Sequence, residues 1–280
     1  MAEPLKRICA LTMVRNAGLF LPKWVAHYGA ALGRENLFVI LDGHDQPVPE
    51  GLEGANILRL PHRPAPRAEG DRRRARILSD FARGLFQVHD MAIATDVDEF
   101  LVVDPAQGLG LRAYLSRLQG AAISALGMDV GQHLEREGPL DPRRPFLEQR
   151  RFAHVSARYT KPVIITRPLT WGSGMHRIKG RNFRIDPHLY LFHFGMVDQA
   201  LAAGTLGDAD RLAGGWTGHL TRRGQLFEII TKAEPRDGDS FFPIARRWQS
   251  LLRPLYALNK PGTLPGKPVV AIPERFRGTV

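Results

Sequence analysis

Residues 96–99 read Asp-Val-Asp-Glu and interrupt an apolar run, MAIATDVDEFLVV, over 91–103. Carboxylates this close repel one another unless positive charge stands beside them. A divalent cation, a basic side chain, or water at an exposed turn would each relieve that repulsion. Mg²⁺ and Mn²⁺ prefer carboxylate oxygen and commonly bridge a protein to substrate phosphates, so Asp96 and Asp98 are candidate metal ligands. A D-x-D triplet is weak evidence by itself. Its place at the end of a buried strand is what points to chemistry rather than to a solvated turn.

Two histidines compete for a further metal position. His193 closes an apolar strand, HLYLFHFG (188–195), and His176 lies in a Gly-rich turn, WGSGMHRIKG (171–180). The other reading of each is a core histidine satisfied by a backbone hydrogen bond. Any reaction that activates a hydroxyl at such a site would also need a base within hydrogen-bond reach. Asp129, near the end of the apolar segment AAISALGMDV (121–130), is the first candidate, against the plainer reading of a loop aspartate.

The elements that must position these groups alternate in period. A strand is predicted over 7–14, then a helix over 17–32 with Leu21, Trp24, Val25 and Tyr28 on one face. Strands follow over 35–43 and 55–61, a helix over 70–87 with Asp71 as N-cap, and a fourth strand through 89–103. This alternation predicts an α/β fold with a doubly wound sheet, in which ligands bind beyond the carboxyl ends of the strands. That edge would collect Arg15, Asn16, Asp42, Asp96 and Asp98. Further on, the pattern predicts a helix over 110–118, a strand over 121–130, a surface loop over 134–148 and strands over 151–169 and 188–195. From 197 the chain reads mostly as helix, through QALAAG, RLAGGWTGHL and residues 241–258. The expected organisation is one domain over 1–200 with a helical extension over 201–280 packed on it.

The balance of 39 Lys and Arg against 28 Asp and Glu gives a net charge of +11 and favours anionic partners. Arginines cluster in RPAPRAEGDRRRAR (63–76). No RNA-recognition, zinc-finger or helix-turn-helix pattern accompanies them, so nucleic acid is not expected. Phosphate-bearing substrates and acidic membrane surfaces remain. The single cysteine, Cys9, excludes an intramolecular disulfide and a multi-cysteine zinc site, and its apolar neighbours mark it as a core residue. No apolar stretch approaches the roughly 20 residues of a membrane span, and the N-terminus lacks a secretory pattern. A cytoplasmic location is expected, with peripheral contact at the inner face of the membrane compatible with the charge.

Taken in order, these segments resemble a bacterial glycosyltransferase group related to glycosyltransferase families 2 and 92. The run MVRNAGLFLPKWVAHYGAALGRENLFVILD matches its opening strand, Arg-Asn and Trp-bearing helix. Asp96-Val97-Asp98-Glu99-Phe100 matches its D-x-D-E-F motif. Lys161-Pro162-Val163 with Arg167-Pro168, then His176, then His193-Phe194 match its later signals. Ala17 stands where the group carries an acidic residue, and ALGMDVGQH (125–133) and HFGMVD depart from it on the acceptor side. The resemblance implies a glycosyltransferase-A-like doubly wound mixed sheet and a nucleotide diphosphate sugar held through Mn²⁺ or Mg²⁺. Asp96 would face ribose and metal, and Asp98 would bind the metal. Arg15, Asn16 and Asp42 would contact base and ribose, Arg74 or Arg76 would lie over the nucleotide, and Lys161 would be a substrate-binding residue. The acceptor would be a carbohydrate or glycoconjugate. The competing reading is a catalytically silent basic module for acidic polymer or membrane. An aspartate-nucleophile phosphotransferase is disfavoured, because such enzymes usually place the acidic pair after the first strand.

Overall fold

The computed structural model describes residues 4–206 and 217–280. Strand β1 (Ile8–Val14) is buried along its whole length, as a strand covered on both faces must be. It pairs in parallel with β2 (Leu37–Asp42) and β4 (Met91–Ala94), and β2 pairs in parallel with β3 (Asn56–Leu60). Helix α1 (Phe20–Leu32) crosses from β1 towards β2 and buries Leu21, Trp24, Val25, Tyr28 and Leu32. The polar ends of its aromatic residues find partners, as buried indole and phenol groups require. Trp24 Nε1 donates to Thr95 Oγ1 at 2.8 Å, and the Tyr28 hydroxyl accepts from the Leu101 amide at 2.9 Å. One helix face thereby grips the chain on both sides of the acidic turn.

Helix α2 (Arg67–Leu85) starts earlier than the predicted 70. Pro66 precedes its first residue, and no side chain caps it. Asp71 is therefore not the N-cap. It lies one turn inside, where it meets Arg67 at 3.5 Å and Arg74 at 4.0 Å.

The fourth predicted strand is two strands. The chain leaves the sheet after β4 and re-enters as β5 (Glu99–Val103), which pairs antiparallel with β9 (Arg184–Met196). An unpaired ionised carboxylate cannot occupy a doubly buried strand without large desolvation cost, so Asp96 and Asp98 turn out to the sheet edge, while Glu99 stays buried in β5 beside Lys161. Strand β6 (Ala122–Gly131) is the branch point. Along one edge its first residues pair with β8 (Ile164–Ile165) and its last with β7 (Phe152–Val155), while β9 runs parallel along the other. The strand predicted over 151–169 is broken by a turn, in which the Thr160 amide donates to the Ser156 carbonyl at 3.1 Å. The predicted loop over 134–148 includes the start of a short helix, Phe146–Gln149, that buries Phe146 and Leu147.

The C-terminal part is helical over Gln199–Leu206, Thr217–Lys232 and Gly238–Leu251. Residues 211–216 of RLAGGWTGHL lie outside the described residues. The expected helical extension is not purely helical. Strands β10 (Arg236–Asp237) and β11 (Val269–Ala271) extend the sheet through β7, giving an 11-stranded mixed sheet among the described residues. The helix predicted to 258 stops at Leu251, shortly before Pro254. The mixed α/β class expected from the sequence is the class observed. Cys9 is a free, buried thiol.

Candidate active site

Because β1, β2 and β4 are parallel and in register, their carboxyl ends share one edge of the sheet. A cleft of about 1150 Å³ opens there. Its walls include the ends of β1 and β2, the start of α2, the acidic turn, and the segments carrying Tyr159, His176 and His193.

At one end, Asn16 takes a left-handed backbone (φ 54°), a conformation asparagine tolerates better than most residues. Its amide donates to Gln46 Oε1 at 2.7 Å. Arg15 spans Gly43 to donate to the Asp42 carbonyl at 2.9 Å, and meets Asp45 at 2.9 Å. Gly43 has φ 133°, a conformation that favours glycine, and a Cβ there would stand 2.1 Å from Asp45 Oδ1 and 2.5 Å from Arg15 Nη1. The Asp42 carboxylate lies 3.1 Å from His62 Nδ1. Arg15 thus builds this end of the wall, with Asn16 and Asp42 also facing the cleft.

The arginine cluster of 63–76 divides. Arg63, Arg67, Arg73 and Arg74 line the cleft, whereas Arg72 and Arg76 are exposed. Of the two arginines expected near the nucleotide, the structure brings Arg74 to the acidic turn.

Asp96 is held by two cations. Arg74 Nη2 is 2.9 Å from its Oδ1, and Lys161 Nζ is 2.9 Å from its Oδ2. Lys161 also lies 2.5 Å from Glu99 Oε1, and the Asp96 amide donates to Glu99 Oε2 at 3.2 Å. Burial pushes the Asp96 carboxyl up, but Arg74 and then Lys161 outweigh it and hold the group down at about 2. Burial works against the charge on Lys161, yet Asp96 and Glu99 prevail and raise its pKa. Glu99 did not stand out as a site residue in the sequence. The available signal was a single carboxylate heading an otherwise apolar strand, EFLVV.

His193 joins the remaining acids. Glu99, His193 and Asp129 are cross-strand partners on β5, β9 and β6. His193 Nδ1 is 2.6 Å from Asp129 Oδ1, its Nε2 is 3.3 Å from Asp98 Oδ2, and the Tyr159 ring stacks on it at 3.8 Å. Burial lowers the imidazole's affinity for a proton, but Asp98 and Asp129 reverse this and push its pKa up to about 9. His176 has the opposite character. Burial, then the charge of Lys161, lower it to about 3, and its Nδ1 lies 2.9 Å from the Arg158 carbonyl. His193 and Asp98 face the cleft, while Asp129 reaches it through the ring of His193.

Of the residues expected to hold Mn²⁺ or Mg²⁺, Asp96 and His193 are engaged by protein partners in this arrangement. Both oxygens of Asp96 bear cations, and both nitrogens of His193 face carboxylates. Among the described residues, no group of three or more His, Cys, Asp or Glu is disposed to hold a metal. Arg74 and Lys161 place positive charge beside the acidic turn, and the raised pKa of His193 favours its charged form.

No family model and no curated protein matches the chain. Solved structures do match, among them a mannose-1-phosphate geranyltransferase from Thermus thermophilus, which aligns with 81% of this chain and 69% of that one. The identity is 12% and the TM-score 0.29, a similarity that carries no argument about activity.

Proposed function

We propose that the chain is a transferase that binds a nucleoside diphosphate sugar in this cleft and passes the sugar to a carbohydrate or glycoconjugate hydroxyl. One observation carries the reading. A single cleft at the carboxyl edge of parallel strands joins a polar recess at Asn16 and Asp42, a wall of arginines, and a carboxylate–imidazole pair. Ligands of open α/β sheets bind at this edge. The cleft exceeds the roughly 300–1,000 Å³ of ordinary small-molecule sites, leaving room for donor and acceptor together.

On this reading Asn16 and Asp42 hold the nucleoside, and Arg63, Arg67 and Arg73 face the diphosphate. Arginine suits that task because its planar fork matches phosphate oxygens. Asp98 accepts the proton of the acceptor hydroxyl as its oxygen attacks the sugar carbon. The bond from that carbon to the diphosphate breaks, and its electron pair leaves with the nucleotide. The arginines stabilise the departing charge. His193 and Asp129 are positioning residues that orient Asp98, so the base expected at Asp129 acts here through its neighbour. No step requires a metal.

The test is a thermal-shift screen of nucleoside diphosphates and their sugars at low salt, with and without a chelator, since ligand bound to the native state raises apparent stability. A chelator-resistant shift for one nucleotide, followed by its release from the sugar donor when acceptor glycans are added, is the expected result. Absence of any nucleotide-dependent shift would refute the transferase. Binding without turnover by any glycan would favour the silent binding module.

A further inference from the structure

The chain contains no Asp or Glu from Ser240 to Pro273, and none from Arg150 to Ile185. These acid-free segments meet in the fold. Arg253 donates to the Phe183 carbonyl at 2.8 Å and to Asn182 Oδ1, and Asn259 Nδ2 donates to the Ile178 carbonyl at 2.8 Å. The helix Gly238–Leu251 buries Phe241, Phe242 and Ala245 inward. One flank of the same helix is apolar and outward, with Ile244, Trp248 and Leu251 exposed. Leu252 and Leu258 continue the apolar surface, while Leu255 is 93% and Tyr256 85% exposed. Lys179, Arg181, Arg184 and Arg247 are exposed on these same segments, and Lys260 Nζ lies 5.8 Å from the centre of the Tyr256 ring.

We propose that this surface docks the protein on an anionic lipid bilayer, with Leu255 and Tyr256 entering the interface and the basic side chains meeting lipid headgroups. Seven large apolar side chains are exposed between residues 244 and 258, and folded chains seldom leave apolar surface concentrated in water without a partner. The partner is identified by charge and shape. The exposed charges of these segments are predominantly basic, Asp186 being paired with Arg184 and Asp239 with Arg275, and this balance matches an anionic surface. The apolar side chains project instead of lining a recess, so a soft apolar medium suits them better than a preformed protein pocket. Tyrosine and tryptophan favour the headgroup level of a bilayer, and an apolar helix face with basic flanks lies in that plane. No helix of the described residues is long and apolar enough to cross a membrane, so the contact is peripheral. The loop held by Arg253 and Asn259 also places His176 on the cleft wall, so docking would bring the cleft towards a lipid-borne acceptor. The docking itself stands independently of the transferase reading.

The experiment is co-sedimentation of the full chain with phosphatidylcholine vesicles, with and without phosphatidylglycerol. Binding is expected only with phosphatidylglycerol, and Leu255→Ser with Tyr256→Ser should abolish it. Those side chains stand in solvent, so the thermal melt should match the parent. Arg181→Gln and Lys179→Gln should each weaken binding roughly fivefold, in line with the attraction of one basic residue to an anionic surface. Equal lipid binding by parent and serine variant would overturn the proposal. So would concentration-dependent dimerisation that the serine variant abolishes in a protein that ignores vesicles, because the patch would then join two copies of this chain.

Discussion

Lys161 and Glu99 form a buried ion pair at 2.5 Å, with the lysine side chain 2% exposed and the glutamate inaccessible. The same ammonium serves Asp96, so a single cation holds two carboxylates at the base of the cleft. Removing one partner of a buried pair typically costs about 3–5 kcal/mol, because the other charge is left stranded. Lys161→Met is expected to cost that much in urea unfolding. Lys161→Met combined with Glu99→Leu should recover much of the loss. A double variant no more stable than the single one would mean that Glu99 is not the residue stranded.

The His193 cluster predicts a pH dependence. Its folded pKa, about 9, lies above the ordinary 6.5, so its stabilisation is complete below about pH 6.5 and is lost as pH rises through 9. The shift corresponds to something on the order of 3 kcal/mol. Asp129→Asn removes one of the two carboxylates that hold the proton, so its stability should decline at lower pH than that of the parent. Urea unfolding of both proteins from about pH 6 to pH 10 checks this. Parallel curves would show that Asp129 does not hold the proton.

If the arginine wall faces a diphosphate, Arg67→Gln with Arg73→Gln should weaken nucleotide binding at least about tenfold at low salt. The deficit should narrow as salt rises, because screening over about 10 Å at 0.1 M weakens the parent's charges. Calorimetric titration at low and high salt measures both. Arg72→Gln with Arg76→Gln, on the exposed side of α2, serves as control and should bind like the parent.

Chelation provides a direct test of the charge arrangement at the acidic turn. Nucleotide affinity in EDTA is expected to stay within about twofold of that in Mn²⁺, less than the 1.4 kcal/mol that a tenfold change represents. A tenfold or greater gain on adding Mn²⁺, lost in Asp98→Ala, would restore the metal role that the motif suggests.

Gly127 tests the link between sheet and site. A Cβ there would stand 2.2 Å from the Tyr159 carbonyl carbon and 2.3 Å from the Thr160 amide nitrogen. Both are backbone atoms, so the segment bearing Tyr159 and Lys161 must move. Gly127→Ala is expected to cost about 1–3 kcal/mol, the usual range for overpacking, and to weaken ligand binding in the molecules that remain folded. Unchanged melting temperature and binding would argue against the close approach.

The parallel half of the sheet was legible in the sequence because its strands are continuous apolar runs separated by a helix of clear period. Leu21, Trp24, Val25 and Tyr28 repeat at helical spacing, and all are buried. The break in 89–103 was not legible. The acids interrupt the apolar run, but that the chain leaves the sheet there and re-enters as β5 against β9 is a pairing choice that no local pattern encodes. Strand β11 is three residues long, too short to show a period. In the site, Arg74, Asp96, Asp98, Lys161 and His193 were all anticipated and do converge. Their division into cation-bridged pairs depends on side chains brought together by long-range register, and so does the pairing of Glu99, which the motif contained without a role.

The acidic turn lies where the chain passes from one arm of the sheet to the other, since β4 pairs with β1 and β8 while β5 pairs with β9. The carboxylates are therefore anchored from both directions, and neither arm can shift without carrying an end of the turn along. A ligand gripping this turn meets groups already fixed in place and need not order them on arrival. The same anchoring makes the turn a mechanical joint. Strain entering from the β6–β7–β11 side reaches the cleft through β9 and β5, so substitutions far along the C-terminal sheet should be felt as changes in ligand residence time.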